Sequence, residues 1–466
     1  MNRLVSFSGF AGTRLLIVAV LLLSTAAAGL AQSAPPEPAR QQLLNGLQIL
    51  LWPKPGDANV AVKMRIHSGA AYDLAGKAGL MALLGDVLFP EAETRQYFTD
   101  ELGGRLDVTT DYDGMTISMS GRAGEFERMI ELLRNALVST PLTPENVAKL
   151  REARVQILRD TNATPASIAD RAIATRLFGE FPYGRPAAGA AETVSRIDRG
   201  DLMLARERFL NADNATLVVA GGVDERRVLR TLRQLLGNWR KGDRLVPATF
   251  RQPEPPNEQI LIVNHVGASE AEIRLATRGL ARADRDAVAA SLLAVVGRDR
   301  WQAALSSSAK APVFARHEAH MVPGLFVMGT SVKNADAAKA IAAARTVIKS
   351  LMTTPPSAVE FEKARNEIAA EIGKRLSDPG SLIDLWLDVD TFKLKPVADQ
   401  AAVQRNLTPA NIQEVAIRLF KDRPLATVVL GNNNEIKQSM TGEKVEILGE
   451  PVAKPATTPQ PAAKKP

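Results

Sequence analysis

The chemistry open to this chain is limited first by the groups it has for ligating a metal or attacking a substrate. It contains four histidines, His67, His265, His317 and His320, and no cysteine. The missing thiols exclude disulfides, thiolate zinc sites, iron–sulfur clusters and cysteine nucleophiles together. Only the run His317-Glu318-Ala319-His320 brings two imidazoles near one another. On a helix, positions i and i+3 share a face and could share a metal. Val313 to Met328 has no helical stripe and is interrupted by Pro323-Gly324, so a strand is predicted, with the two rings on opposite faces. His67 and His265 lie beside predicted strands without a clustered acid and read as packing or surface residues. Ser306-Ser307-Ser308 has no neighbouring histidine and reads as a loop, and Gly221-Gly222 lacks phosphate-loop spacing. Glu127, Glu131 and Arg134 predict a solvated helix face.

The surrounding composition is that of a globular protein. Of 466 residues, 45% are hydrophobic and 23% charged, and 58 Lys+Arg against 51 Asp+Glu give a formal charge of +7. No dense basic patch with interleaved aromatics points to nucleic acid. Residues 1–31 read as a secretory signal peptide, with Arg3 and Arg14, the apolar run Leu15 to Leu23 and a small-residue site at Gly29-Leu30-Ala31. The short apolar core argues for cleavage over retention as an anchor, which predicts a periplasmic protein with no stable membrane anchor. Residues 449–466, rich in Pro, Ala, Thr and Lys, predict a disordered tail. The Pro-rich stretch 244–257 reads as a linker between lobes at 32–243 and 258–448.

These two parts repeat one another. Phe209 to Gly221 and Phe420 to Gly431 both run from a helix end through a polar turn into a buried Thr/Val/Leu strand, ~211 residues apart (Phe209 to Phe420). Pro144-Glu145-Asn146-Val147 and Pro356-Ser357-Ala358-Val359 each open a long helix at nearly the same offset, and the alternating strands Val60–Ile66 and Ala271–Leu275 repeat it again. In the first half, Asn45-Gly46 between apolar runs predicts a hairpin. A helix follows over 77–89, then a strand with Met115, Ile117 and Met119 on one face. Next comes a helix carrying Phe126, Met129, Ile130, Leu133 and Leu137. Thr143 before Pro144 is a helix cap. The mixture predicts a duplicated α+β domain with antiparallel sheets and helices packed on one face.

Three short segments carry a resemblance. Glu101-Leu102-Gly103-Gly104-Arg105-Leu106-Asp107, Pro182-Tyr183-Gly184-Arg185-Pro186 and Asp213-Asn214-Ala215-Thr216-Leu217-Val218-Val219 occur in an order and spacing that resemble the insulinase/pitrilysin-type zinc metallopeptidases, including mitochondrial processing peptidases. The resemblance runs from about Leu43 to Gly431. It implies two homologous metallopeptidase-like lobes forming a clamshell. It also implies a helix bearing H-x-x-E-H, whose two histidines hold zinc and whose glutamate activates water, and a further glutamate from a later helix. The matching run here is Gly79 to Phe89. It puts Ala82 at the first histidine, Gly85 at the base and Asp86 at the second histidine, with Gln156 or Glu152 at the distant glutamate. The family's substrate-holding Arg and Tyr fall at Ser306 and at Val313 or Phe314.

The resemblance therefore implies a degenerate member. Zinc is expected in the family but its ligands are missing, leaving Asp86, Glu152 and Gln156 as weak candidates and no cofactor expected. The expected function is that of a non-catalytic subunit, a structural or regulatory partner of an active H-x-x-E-H metallopeptidase acting on peptides in the periplasm. Two alternatives stay open: an active metallopeptidase with non-standard or partner-supplied ligands, and a stand-alone periplasmic peptide-binding or chaperone module.

Overall fold

The computed structural model describes residues 35–161, 164–242, 253–305 and 308–448. The signal segment 1–31, most of the linker and the tail 449–466 lie outside them. From Glu37 onward the chain forms one compact unit, built from two lobes with the same plan.

In lobe one, Asn45-Gly46 turns β1 (Ala39–Gln42) back onto β2 (Gln48–Pro53), with Gly46 in the left-handed region at φ 94°. The sheet also contains β3 (Asn59–Ile66), β4 (Arg105–Thr110), β5 (Met115–Arg122) and β6 (Ala215–Gly221), in the order β1-β2-β6-β3-β5-β4. Its helices are α1 (Leu80–Leu88), α2 (Ala92–Asp100), α3 (Phe126–Arg134), α4 (Pro144–Asp160), α5 (Pro165–Phe178), α6 (Ala191–Val194), α7 (Arg199–Phe209) and α8 (Glu225–Leu236). Period-two alternation sends Val60, Val62, Met64 and Ile66, with Met115, Ile117 and Met119, into one core beneath α1, α3, α7 and α8. Thr143 caps α4 as its sequence predicts, its hydroxyl accepting the Asn146 amide at 3.2 Å.

Lobe two repeats this with β7 (Ile260–Asn264), β8 (Glu270–Arg278), β9 (Phe314–Glu318), β10 (Leu325–Lys333), β11 (Ala426–Gly431) and β12 (Val445–Leu448), in the order β12-β7-β11-β8-β10-β9. Its helices are α9 (Ala287–Leu305), α10 (Ala337–Thr353), α11 (Ala358–Ser377), α12 (Pro379–Phe392), α13 (Val397–Val403), α14 (Pro409–Phe420) and α15 (Asn433–Ser439). The sheets are mixed rather than purely antiparallel: β2 runs parallel to β6, and β11 and β12 run parallel to β7. The parallel partners are brought together by long crossovers, which hairpin signals do not report. In each lobe the central strand, β6 or β11, is buried along its whole length.

The lobes exchange helices. α5 leaves lobe one and lays Ile173, Leu177 and Phe178 on the outer face of the lobe-two sheet, against Ala276, Val327 and Val428. α12 leaves lobe two and lays Leu382, Ile383 and Trp386 on the outer face of the lobe-one sheet, against Leu50, Val218 and Ala220. Charges on α12 fix the second contact. Asp384 takes Lys63 at 2.7 Å, Asp388 takes Arg65 at 2.7 Å, and Asp390 takes Arg40 at 2.6 Å. His67 lies in the same seam between Thr391 (3.1 Å) and Thr216 (3.0 Å), and burial, aided by the cation of Lys393, holds its imidazole down to about 4.

Candidate functional site

The helix bearing the motif positions is α1, and its start is held from a distance. Asp73 lies six residues before Gly79, too far for an ordinary cap. Its carboxylate nevertheless accepts the Gly79 amide at 2.6 Å and the Met81 amide at 2.8 Å. Burial pushes this carboxyl up to about 6, against the pull of those amides and of Arg185. Every residue of α1 is buried except Asp86. That places Ala82 and Gly85 in packing contacts and leaves Asp86 as the helix's one polar group.

Asp86 is already partnered. Arg154 of α4 donates through Nε to Asp86 Oδ2 at 2.7 Å and through Nη2 to Asp86 Oδ1 at 3.3 Å, and Nη2 also reaches the Ala82 carbonyl at 3.0 Å. The guanidinium thus spans the two positions where the family resemblance requires histidines. Its side chain is 18% exposed and that of Asp86 35% exposed. Gly85, at the base position, faces the edge strand β4: a Cβ there would stand 3.1 Å from Val108 Cγ1 and 3.6 Å from Thr110 Oγ1. Glycine lets α1 lie close to the strand, and a glutamate would have to displace Val108.

The other two metal candidates are not brought to this place. Glu152 and Gln156 are exposed, and Gln156 bonds Asp160 at 2.8 Å on its own helix. The helix register turns these two weak candidates outward: Val147 and Val155 are buried, Leu150 and Leu158 pack on the same core, and Arg154 falls on that inward side. A catalytic zinc takes three protein ligands and keeps one open position. Here the donor set offers one carboxylate, bound to a guanidinium. Among the described residues no three His, Asp or Glu side chains converge to hold a metal. These residues do not fit the family's zinc.

The positions matched to the substrate-holding pair differ as well. Ser306 lies outside the described residues. Val313 is 3% exposed in the lobe-two core. Phe314 lies between two guanidinium groups, Arg274 at 4.9 Å and Arg316 at 4.8 Å from its ring centre. Arg274, 2% exposed, ties this corner to lobe one through Asp170 of α5 and to Glu272 at 2.9 Å.

The two clustered histidines have separate surroundings, though His320 lies in the β9–β10 connection and not on the strand. His317 Nε2 accepts the Leu280 amide at 2.9 Å, a bond only an unprotonated nitrogen can take, and burial lowers its pKa to about 4. His320 crosses to lobe one, where its Nδ1 donates to Asp113 at 3.0 Å and its ring lies 4.6 Å from that of Tyr183. Asp113, 7% exposed, also accepts the Met321 amide at 3.0 Å. Tyr183 comes from the Pro182-Tyr183-Gly184 segment of the family resemblance. Burial, then the charge of Asp113, drives its hydroxyl far above the usual phenol range. The segment thus serves as a lobe contact. In the Leu102-Gly103-Gly104 segment, a Cβ on Gly104 would stand 1.9 Å from the Ser120 carbonyl oxygen, so only glycine admits the turn into β4.

Comparison with known proteins agrees with this architecture. Residues 48–191 match the model described as insulinase (peptidase family M16), and residues 196–368 match that described as peptidase M16 inactive domain. An uncharacterized zinc protease of Rickettsia felis is 22% identical over 217 residues, 45% of this chain and 52% of that protein. One from Mycobacterium leprae is 23% identical over 230 residues, 48% of this chain and 50% of that protein. The chain spans about half the length of these curated relatives. Among solved structures, the M16 inactive domain from Pseudomonas fluorescens superposes with a TM-score of 0.76 at 15% identity, covering 85% of this chain and 98% of that one. The first half of the periplasmic protease PqqL from Escherichia coli gives 0.71 at 15% identity, covering 87% and 95%. The whole of PqqL is covered to 49%. Identities this low speak for the fold alone. Two models of one family, matching consecutive stretches between residues 48 and 368, and a fold shared along most of the chain lead to one conclusion: this protein belongs to the insulinase (M16) peptidase family.

Proposed function

We propose that this chain is a non-catalytic member of the family, which pairs in the periplasm with an active H-x-x-E-H metallopeptidase subunit and supports its action on peptides. The observation that carries the reading is Arg154. A guanidinium bonded to both Asp86 and the Ala82 carbonyl supplies the positive charge that a metal ion would otherwise bring to this helix, and it leaves no water-activating base. The fold match bears on the pairing: the chain covers 95% of the first half of PqqL and 49% of the complete protein, so in PqqL a further stretch of similar length accompanies the matched one. The periplasmic assignment draws on the leader-like residues 1–31 and on the fold shared with PqqL, a periplasmic protease of Escherichia coli. Among the described residues no helix is long and apolar enough to cross a membrane.

The zinc-protease names of the curated relatives favour a second reading, an active peptidase whose remaining ligands come from a partner. One experiment separates the two. The chain is purified alone and with an H-x-x-E-H protein encoded beside it, then subjected to native mass analysis, zinc quantification and a peptidase assay. The pairing reading expects a defined complex with zinc and chelator-sensitive activity only when the second protein is present. Stoichiometric zinc and chelator-sensitive activity in the isolated chain would overturn it.

A further inference from the structure

A cavity of about 580 Å³ lies within lobe two, away from α1, walled by the first turn of α9, the later turns of α11, the end of α12 and α13. Its volume is within the range of small-molecule sites. Six half-buried aliphatic side chains line it: Val288, Ile368, Ile372, Leu376, Leu394 and Val403. Half-buried aliphatics that line one concavity leave apolar surface in water, which disfavours the empty state by roughly 25 cal/mol per Å².

The mouth is cationic. Lys393 and Lys395 flank Leu394, both exposed, and neither ammonium makes a hydrogen bond or ion pair among the described residues. Arg282 and Arg375 also line the cavity and share Asp388, at 3.3 and 3.6 Å. Of the lining carboxylates, Asp284 is taken by Arg418 at 2.6 Å, leaving Glu371 against the cations. Lys393 has a further peculiarity: it ends α12 at φ 54°, in the left-handed region where Gly or Asn is usual. A left-handed backbone is unfavourable for a residue with a Cβ, and here it carries an ammonium unpaired among the described residues to the cavity. His317, on the wall, is held neutral by burial and by the Leu280 amide.

We propose that this cavity binds a single-chain amphiphilic anion, with its alkyl chain among the aliphatic residues and its carboxylate or phosphate head at Lys393 and Lys395. The test uses the full mature chain with dodecanoate and dodecyl phosphate, each below its micellar concentration, by titration calorimetry and native mass analysis. Saturable one-to-one binding of at least one probe is expected, and which binds tighter tells a carboxylate source from a phosphate source. Butyrate should not bind, and dodecyltrimethylammonium should bind at least about tenfold more weakly. The double variant Lys393→Glu/Lys395→Glu should lose about tenfold in affinity. Ile372→Trp, which fills the cavity with an apolar ring, should abolish binding while unfolding cooperatively. Binding that is absent, multisite, equal for the cationic amphiphile or unchanged in these variants overturns the proposal. So does a peptide ending in an aliphatic residue that outcompetes both probes.

Discussion

If Arg154 supplies the charge that balances Asp86, the two residues must be energetically coupled. A double-mutant cycle measures that coupling directly. Asp86→Ala removes the carboxylate, and Arg154→Met removes the guanidinium while keeping most of the stem. Exposed ion pairs contribute about 0–1 kcal/mol, whereas breaking a fully buried one costs about 3–5 kcal/mol. This pair lies between those limits, with Arg154 18% and Asp86 35% exposed and two bonds joining them. A coupling energy of about 1.5 kcal/mol follows. With a urea m-value of ~3 kcal/mol/M, each single variant should lower the unfolding midpoint by about 0.5 M, and the double variant by little more. The same assay tests the metal. A ligand that binds only the folded state raises the midpoint by linkage, so zinc or chelator should leave the wild-type midpoint unmoved. A coupling below about 0.5 kcal/mol, or a zinc-dependent rise in the midpoint, would refute the reasoning.

Three further outcomes follow from the seam between the lobes and the buried histidines. Asp388→Ala leaves Arg65, whose side chain is 10% exposed, with Asp384 only at 3.8 Å, so denaturant unfolding should register a loss of about 3 kcal/mol, with Arg65→Met/Asp388→Ala recovering part of it. Acid should destabilise the protein between pH 6.5 and 4, against the opposing contribution of Asp73, whose carboxyl, raised to about 6 by burial, takes up its proton first in the folded state. His67 and His317, both held near 4 when folded and near 6.5 when unfolded, take up protons only on unfolding in that window, so each withdraws up to about 3 kcal/mol as pH falls. Urea midpoints against pH should flatten in His67→Gln. Trp386→Ala should cost about 3–5 kcal/mol by calorimetry or urea, because its partners Trp52, Leu50 and Val218 belong to the other lobe. Trp386→Phe should cost far less, since among the described residues the indole N–H has no hydrogen-bond partner to lose.

The elements of this fold were largely legible because their signals are local. The Asn45-Gly46 turn, the alternation in Val60–Ile66, the Thr143-Pro144 cap and the ~211-residue repeat (Phe209 to Phe420) all lie where the sequence put them. The site was half legible. Ala82, Gly85 and Asp86 can be placed by spacing, but on α4 Glu152 and Gln156 have the chemistry of ligands and Arg154 does not. The signal was present in the stripe Val147, Leu150 and Leu158, which sets Arg154 facing inward and the other two outward. Asp73 could not be found this way, because it reaches α1 from outside any capping pattern. Nor could the helix exchange. The run Leu382 to Val389 reads as a core helix, yet nothing local says that its sheet belongs to the other half of the chain.

That exchange bears on how a peptide could be enclosed. Jaws that open must part along surfaces that tolerate water. Parting these lobes would bare Trp386, Leu382, Leu50 and Val218 on one side and Phe178, Leu177, Val327 and Val428 on the other, all buried. It would also strand Arg65, whose carboxylate partners lie across the seam, and take Asp170 from Arg274, leaving that guanidinium Glu272 of its own strand. Both costs act in the same direction, so the two lobes move as one body. Under the pairing proposed above, a chamber for peptides would form between this body and a second one. Each lobe's sheet has its outer face covered by the helix of its sibling, while among the described residues the edge strand β4, beside α1, pairs only with β5. In this fold the make-up of α1 and the locking of the lobes are separable: Ala82, Gly85 and Asp86 lie on α1, whereas the seam is held by α5 and α12.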